Sequence, residues 1–76
     1  MPTVAVDQVF IALADATRRH LLEMLAMQGA ASASALASES PISRQAITKH
    51  LKILEHAALV SRTRLGKEVK FQVEDH

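Results

Sequence analysis

Apolar residues recur at helical spacing between Ser43 and Ala57, and polar residues fill the opposite side of the same segment. Ile47, Leu51 and Leu54 stand at i, i+4 and i+7, which is the stripe that an α-helix buries. Ser43 stands just before this stripe, where its hydroxyl can cap the first turn. The pattern predicts an amphipathic helix over residues 43–57, with one face in the core and one face in solvent.

A first helix is predicted over residues 6–13 and a second over residues 16–28. The first has apolar residues at i, i+3, i+4 and i+7, namely Val6, Val9, Phe10 and Leu13. Because it contains few polar residues, it either packs into the core or covers a partner subunit. In the second helix, Asp15 is the expected N-cap and Gly29 the expected end. Its predicted buried stripe contains Leu21, Leu25 and Gln28.

The serine-rich segment that follows predicts a short third helix from about Ala33 to Glu39, and a linker is the alternative. Ser32 is the expected cap of this helix and Leu36 its buried anchor. Pro41 disfavours α-helical backbone at the preceding residue and so ends the helix. A tight turn then leads to the 43–57 helix. Two helices joined in this way are typical of a helix-turn-helix, in which 43–57 is the recognition helix.

Two β-like runs, Val60–Leu65 and Glu68–Val73, flank the pair Gly66-Lys67. In the second run apolar and polar residues alternate, as they do in a half-buried strand. The runs predict a β-hairpin wing over residues 60–73. Leu65, near its tip, is expected to fold back on the hairpin.

The predicted fold is mainly α with a β-hairpin wing. It is a winged helix-turn-helix of order α-α-α-α-β-β, with residues 1–76 as a single domain. A strand of one or two residues is also expected near Ala31. Only two residues are aromatic, so the core must be aliphatic. The expected core residues are Phe10, Leu13, Leu21, Leu22, Leu25, Leu36, Ile47, Leu51, Leu54, Leu59, Val69 and Phe71.

The formal net charge of +1 conceals an uneven distribution of charge along the chain. Residues 43–70 contain seven Lys and Arg against two Glu, which gives +5, and the rest of the chain carries −4. A basic segment inside an acidic small domain is an electrostatic footprint for phosphate. A solvated basic surface is the alternative interpretation.

Two sequence runs resemble the ArsR family of bacterial winged helix-turn-helix repressors. They are AD-x-TRR-x-L at 14–21 and S-R-Q-x-x-x-x-H-L-x-x-L-x-x-A-x-L-V at 43–60. The resemblance extends over residues 10–73. It implies a homodimer that binds an operator, with one recognition helix in each major groove and the wing on the flanking backbone.

The chain departs from this family pattern at four places, one of which is Leu65 in place of the usual polar residue at the wing tip. Metal-sensing members carry Cys-x-Cys on the third helix, where this chain has Ser32 and Ser34. Hydroxyls bind soft metals poorly, so no metal site is expected there. The family usually continues past the wing into a last, dimer-forming helix, which is missing from these 76 residues. Ala58 stands where a glycine commonly ends the recognition helix.

Ten residues are expected to contact DNA: Ser43, Arg44, Gln45, Thr48, Lys49, His50, Lys52, Arg62, Arg64 and Lys67. Arg44 and Gln45 lie in the first turn of the recognition helix, and can form bidentate hydrogen bonds with guanine and adenine. Contacts with phosphates are expected for Ser43, Thr48 and Lys49. The hairpin cations are expected on the backbone or minor groove. For His50, a phosphate contact and packing at the helix flank are equally open.

No catalytic residue, cofactor or metal ion is predicted. The chain has no cysteine, its histidines lack the spacing of a ligand pair, and no nucleophile–base set is evident. No apolar run is long enough for a membrane helix, and the N-terminus does not match a signal peptide, so a cytoplasmic protein is expected. The predicted function is sequence-specific binding of double-stranded DNA, most simply as a homodimeric repressor that associates in part through the first helix. A winged-helix protein–protein interaction module is the alternative.

Overall fold

The computed structural model describes residues 3–74 of the chain, with side chains from Val6 onward. Within these residues four helices precede an antiparallel hairpin. The elements are α1 (Thr3–Leu13), α2 (Ala16–Gln28), α3 (Ala33–Ser38), α4 (Arg44–His56), β1 (Val60–Leu65) and β2 (Glu68–Val73). This order confirms the predicted winged helix-turn-helix.

The helices α2, α3 and α4 begin where their capping residues predict, whereas α1 begins at Thr3, three residues before the predicted start at Val6. The side chains of Asp15, Ser32 and Ser43 each accept a hydrogen bond from the backbone N–H three residues later, at 3.1, 3.1 and 3.2 Å. Each cap therefore satisfies one N–H that lacks a partner within its own helix. At the other end of α2, Gly29 has a φ of 83°, and its N–H donates to the carbonyl of Leu25 at 2.9 Å.

Apart from Phe71 the core is aliphatic, and it brings residues from all four helices and both strands together. Seven of the expected core residues are buried, namely Leu21, Leu25, Leu36, Ile47, Leu51, Leu54 and Phe71. Leu22, Leu59 and Val69 are partly buried and pack against them. Four further buried residues were not predicted: Ala12, Ala31, Ala57 and Val60.

The prediction that Phe10 and Leu13 belong to the core was wrong. Phe10 is 69% exposed, and Leu13 is only partly buried. Ala12 is instead the fully buried residue of α1, and Val9 packs beside the core. Because successive helical residues are about 100° apart, burying Ala12 turns Phe10 to the opposite side of the helix.

Gln28 also lies outside the core, contrary to prediction. Its side chain is exposed, and its Nε2 donates to Oε1 of Glu39 at 2.7 Å. Burying a polar amide in an aliphatic core costs free energy, so the Gln28 amide forms its hydrogen bond at the surface instead. The bond joins the end of α2 to the end of α3.

The hairpin has the predicted boundaries, and its register runs from Val60 opposite Val73 to Leu65 opposite Glu68. Ala31 forms the expected short strand, through two backbone hydrogen bonds with Phe71 at 2.8 and 2.9 Å. Leu65 does not fold back on the hairpin, and its side chain is 59% exposed. The register explains this, because Val60 faces the core and Leu65, an odd number of residues away, lies on the other face of β1.

The segment after α4 contains one unfavourable backbone conformation. Ala58 has a φ of 59°, in the left-handed region that glycine adopts without a steric penalty. The turn is held by hydrogen bonds from the N–H of Ala58 to the Glu55 carbonyl and from the N–H of Leu59 to the Leu54 carbonyl, at 2.9 and 3.0 Å. Together they end α4 and direct the chain into β1.

Candidate nucleic-acid interface

The solvent-facing side of α4 forms a shallow basic groove. It has a volume of about 450 Å³ and is lined by Arg44, Gln45, Thr48, Lys49 and Lys52. The buried stripe of Ile47, Leu51 and Leu54 holds the other side of α4 in the core. The lining contains hydrogen-bond donors and three cations but no carboxylate, which is the chemistry that binds a polyanion. Five of the ten predicted DNA-binding residues therefore come together in one surface.

A second basic cleft lies between the N-terminus of α3, the first turns of α4, and the hairpin. Its volume is about 410 Å³, and its polar lining is Ser32, Ser34, Arg44, Thr48, Arg62, Lys67 and Glu68. Nη1 of Arg44 donates to Oγ of Ser34 at 3.4 Å, a long and weak hydrogen bond. The guanidinium of Arg44 is therefore at the border of the cleft and the groove, and is held only loosely.

The hydroxyls of Ser43 and Thr48 differ in whether their proton is available to donate to a ligand. Oγ1 of Thr48 donates its proton to the carbonyl of Arg44 at 2.9 Å. A hydroxyl has one proton to donate, so Thr48 has to give up this bond before it can donate to a phosphate. Oγ of Ser43 accepts from the Ala46 N–H as the cap of α4, and its own proton is still available for donation.

The guanidinium of Arg62 is bound by other side chains of the protein. Its Nε and Nη2 donate to the two carboxylate oxygens of Glu55 at 2.9 and 2.8 Å, and its guanidinium lies 5.9 Å from the ring centre of Phe71. The hydrogen bond from Arg62 lowers the pKa of the Glu55 carboxyl, and Glu55 in turn raises the pKa of Arg62. This bidentate pair joins the end of α4 to β1, so that it positions the hairpin.

Arg64 and Lys67 are the other predicted contact residues of the hairpin, and both are exposed. Nε of Arg64 donates to the Gly66 carbonyl at 3.3 Å. Lys67 follows Gly66 in the two-residue turn of the hairpin, and the φ of 64° at Gly66 suits a glycine. Both cations therefore lie near the tip of the hairpin.

His50 lies away from the basic groove. It follows Thr48 by two residues, which turns it about 200° around α4. Its Nδ1 is instead 3.2 Å from Nη1 of Arg18 on α2, and the imidazole is partly buried. Of the two alternatives open for His50, this placement favours packing at the helix flank over a phosphate contact.

Sequence reasoning did not identify Arg18 or Ser34 as part of this architecture. Arg18 belongs to the TRR run that carried the family resemblance, which was the one available signal. Its contact with His50 joins residues 32 positions apart, and no local pattern predicts such a contact. Ser34 was noted only as the counterpart of a metal-binding cysteine, and nothing in the sequence indicated its hydrogen bond with Arg44.

The outer face of α1 is a second exposed surface of a different kind. Val6, Phe10 and Ile11 are 47, 69 and 59% exposed. An exposed group of large apolar side chains is typical of a surface that another molecule covers. Over residues 3–74, no helix is long and apolar enough to cross a membrane, and no cluster of His, Asp or Glu could hold a metal ion.

A recognition helix with a basic groove, followed by a basic hairpin, defines a winged helix-turn-helix protein. Residues 13–63 match a family described as a helix-turn-helix domain. The chain is 40% identical over 68 residues to the HTH-type transcriptional regulator Rv2034 of Mycobacterium tuberculosis, covering 90% of this chain and 63% of that protein. It is 34% identical over 67 residues to the transcriptional repressor SdpR of Bacillus subtilis, covering 88% and 73%.

Two solved structures have the same fold. One is an ArsR-like transcriptional regulator from Rhodococcus sp. RHA1, with a TM-score of 0.85 and 38% identity over 96% of this chain and 69% of that one. The other is a homodimeric winged helix-turn-helix DNA-binding domain from Mycobacterium bovis, with a TM-score of 0.89 and 26% identity over 96% and 67%. The chain belongs to the ArsR family of winged helix-turn-helix transcriptional regulators.

Proposed function

We propose that this chain binds double-stranded DNA in a sequence-specific manner, with α4 in the major groove. The observation that carries the proposal is the groove on α4, which combines three cations, an amide and a hydroxyl with no carboxylate. An α-helix fits the major groove of B-DNA, and its first turn reaches base edges most readily. The +5 charge of residues 43–70 supports the same surface.

The residues of this surface take different roles in the proposal. Arg44 and Gln45, exposed in the first turn, read guanine or adenine edges. Lys49 and Lys52 neutralise phosphates, and Ser43 donates its free hydroxyl proton to one. At the hairpin tip, Arg64 and Lys67 contact the flanking backbone or minor groove. Thr48, His50 and Arg62 support these contacts from within the chain, because their polar groups already have partners.

We also propose that the chain acts as a homodimer that represses transcription in the cytoplasm. The Mycobacterium bovis neighbour is homodimeric, and the exposed apolar face of α1 suits an association surface. A two-fold dimer would present two copies of α4 to half-sites one helical turn apart. The relative SdpR is a transcriptional repressor, and a dimer covering a promoter represses by excluding the polymerase.

Fluorescence anisotropy with a labelled duplex of random sequence, at several salt concentrations, tests DNA binding directly. We expect log K to fall linearly with log salt, with a slope of about −0.9 for each phosphate that is neutralised. Lys49→Ala should make the slope shallower by about one phosphate. Arg19→Ala is the matched control, since Arg19 lies on α2 outside the groove, and it should leave the slope unchanged. Absence of binding at low salt by a chain that sediments as a dimer would contradict the proposal.

A protein–protein interaction module is the second candidate function. The observation that favours it is the apolar outer face of α1, which has no specific relation to DNA. The two functions are distinguished by the same titration. A salt-independent Kd for DNA, or none at all, combined with intact dimerisation, would favour the interaction module.

A further inference from the structure

The guanidinium of Arg18 joins three helices. Its Nε donates to the Ala12 carbonyl at 2.8 Å, and its Nη2 donates to the Ile11 carbonyl at 3.0 Å, so that Arg18 holds the end of α1. Its Nη1 lies 3.2 Å from Nδ1 of His50 in the middle of α4. One side chain of α2 therefore connects α1 to the recognition helix.

Only one arrangement of protons satisfies the contact between Arg18 and His50. Arginine has five N–H donors and no acceptor, and it stays protonated in proteins. In a hydrogen bond between the two groups Nδ1 of His50 is therefore the acceptor, and the ring proton is on Nε2. The contact fixes the tautomer of His50 as well as the position of its ring.

This contact is a directional restraint in the middle of α4. Ile47, Leu51 and Leu54 hold α4 by apolar packing, which is not directional. Among residues 6–74, the other side-chain hydrogen bonds between α4 and its neighbours lie near its two ends. These are the long bond from Arg44 to Ser34 and the pair that Glu55 forms with Arg62.

We propose that Arg18 is a positioning residue for DNA binding, which acts through His50 to set the rotation of α4 about its own axis. The inference rests on the proposed function of the groove on α4. His50 is turned about 200° from Thr48, on the side of α4 away from the groove. A restraint on His50 therefore orients the groove, although neither His50 nor Arg18 contacts DNA. Since Arg18 also holds the end of α1, it links the proposed association surface to the pose of the recognition helix.

A matched pair of substitutions at His50 tests this role. Asparagine can present an amide oxygen near the position of Nδ1, whereas glutamine places its amide near Nε2. The probe is a fluorescein-labelled duplex selected in vitro with the wild-type chain. We expect His50→Asn to retain the wild-type Kd. His50→Gln and Arg18→Gln should each weaken binding roughly tenfold, the size of one charge-assisted hydrogen bond. The salt dependence should not change, because no phosphate contact is lost.

Three results would overturn the inference. If His50→Gln binds like wild type and His50→Asn does not, Nε2 contacts DNA directly. If all three variants bind like wild type while thermal unfolding shows them folded, the contact positions nothing. An NMR spectrum of the free chain that shows the proton of His50 on Nδ1 would contradict the geometry itself. Failure of the wild-type chain to select any duplex would instead refute the proposed function, so the two failures are distinguishable. An unfolded Arg18→Gln leaves the decision to the His50 pair.

Discussion

The helices α1 and α4 pack on the same core but leave different surfaces in solvent. α4 buries Ile47, Leu51 and Leu54 completely, and exposes cations and an amide that water solvates well. Among its described side chains, α1 buries only Ala12 completely, and it exposes Phe10 most of all. The surface of α4 is therefore stable in water by itself, whereas the outer face of α1 gains free energy when an apolar surface covers it.

This difference suggests a division of roles between the two helices. Apolar burial gives affinity without direction, and it suits the association of two chains. Hydrogen-bond donors on a helix distinguish one base pair from another, so they suit the reading of DNA. The pattern of exposed chemistry thus assigns DNA to α4 and a second copy of the chain to α1 in the proposed function.

The largest effect is expected from removing a side chain of the buried stripe. Leu51→Ala should cost about 2–5 kcal/mol of unfolding free energy, since it leaves a cavity in the core. A domain of this size is only marginally stable, so the variant should be largely unfolded. Ile53→Ala, two residues along α4 and 36% exposed, is the control and should lose much less. A wild-type thermal midpoint for Leu51→Ala would show that Leu51 does not belong to the core.

Phe10→Ser should weaken association of two chains while leaving the fold intact. Burial of a phenylalanine contributes about 1.5–3 kcal/mol, and a two-fold interface contains it twice. We therefore expect the dimer dissociation constant to rise at least about a hundredfold, as measured by sedimentation velocity. Leu65→Ser removes another exposed apolar side chain, at the hairpin tip and away from α1, and it should leave the constant unchanged. Equal dimerisation of wild type and Phe10→Ser would exclude this face of α1 from the interface.

Ala58→Gly should stabilise the turn that ends α4. The left-handed backbone at Ala58 costs alanine about 1 kcal/mol relative to glycine, and a gain of that size raises the melting temperature by roughly 4–8 °C. Ala57→Gly is the comparison variant, at a neighbouring residue that is buried rather than exposed. Ala57 has a φ of −84°, so this change should destabilise the chain. A lower melting temperature for Ala58→Gly would mean that the left-handed conformation carries no strain.

The smallest effect on the free energy of unfolding is expected when acid protonates Glu55, whose pair with Arg62 joins α4 to the hairpin. Arg62 lowers the pKa of Glu55 from its ordinary value of 4.5. The folded chain therefore binds this proton less readily than the unfolded chain, and the pair stabilises the fold above about pH 4.5. Its contribution should disappear as the pH falls through the lowered pKa. Urea titrations at pH 7 and pH 3 should show a smaller loss for Glu55→Gln than for wild type, and equal losses would contradict this account.

The recognition helix and the hairpin could be predicted because their sequences place apolar and polar residues on opposite faces. In α4, polar residues occupy the positions that Ile47, Leu51 and Leu54 leave free, so the sequence shows which face of the helix is buried and which is exposed. In the second strand of the hairpin apolar and polar residues alternate, and Gly66 suits the turn before it. The same sequence features predicted the basic groove, because its five lining residues lie together on one helix.

The rotation of α1 could not be predicted in the same way. Its sequence is apolar on several sides, so periodicity did not decide between Phe10 and Ala12 as the buried residue. Large apolar side chains usually fill a core, whereas in α1 the small side chain of Ala12 is the one that is fully buried. The engagement of His50 by Arg18 and of Arg62 by Glu55 depends on tertiary contacts between separate elements, which local spacing does not reveal.

The most direct test of the division between the two helices is an NMR titration of the ¹⁵N-labelled chain with a short duplex. We expect amide shifts to change in the first three turns of α4 and at Gly66 and Lys67, whereas the amides of Val6, Phe10 and Ile11 on the outer face of α1 stay unchanged. Shifts centred on α1, with the amides of α4 unaffected, would contradict the assignment of DNA to the basic groove.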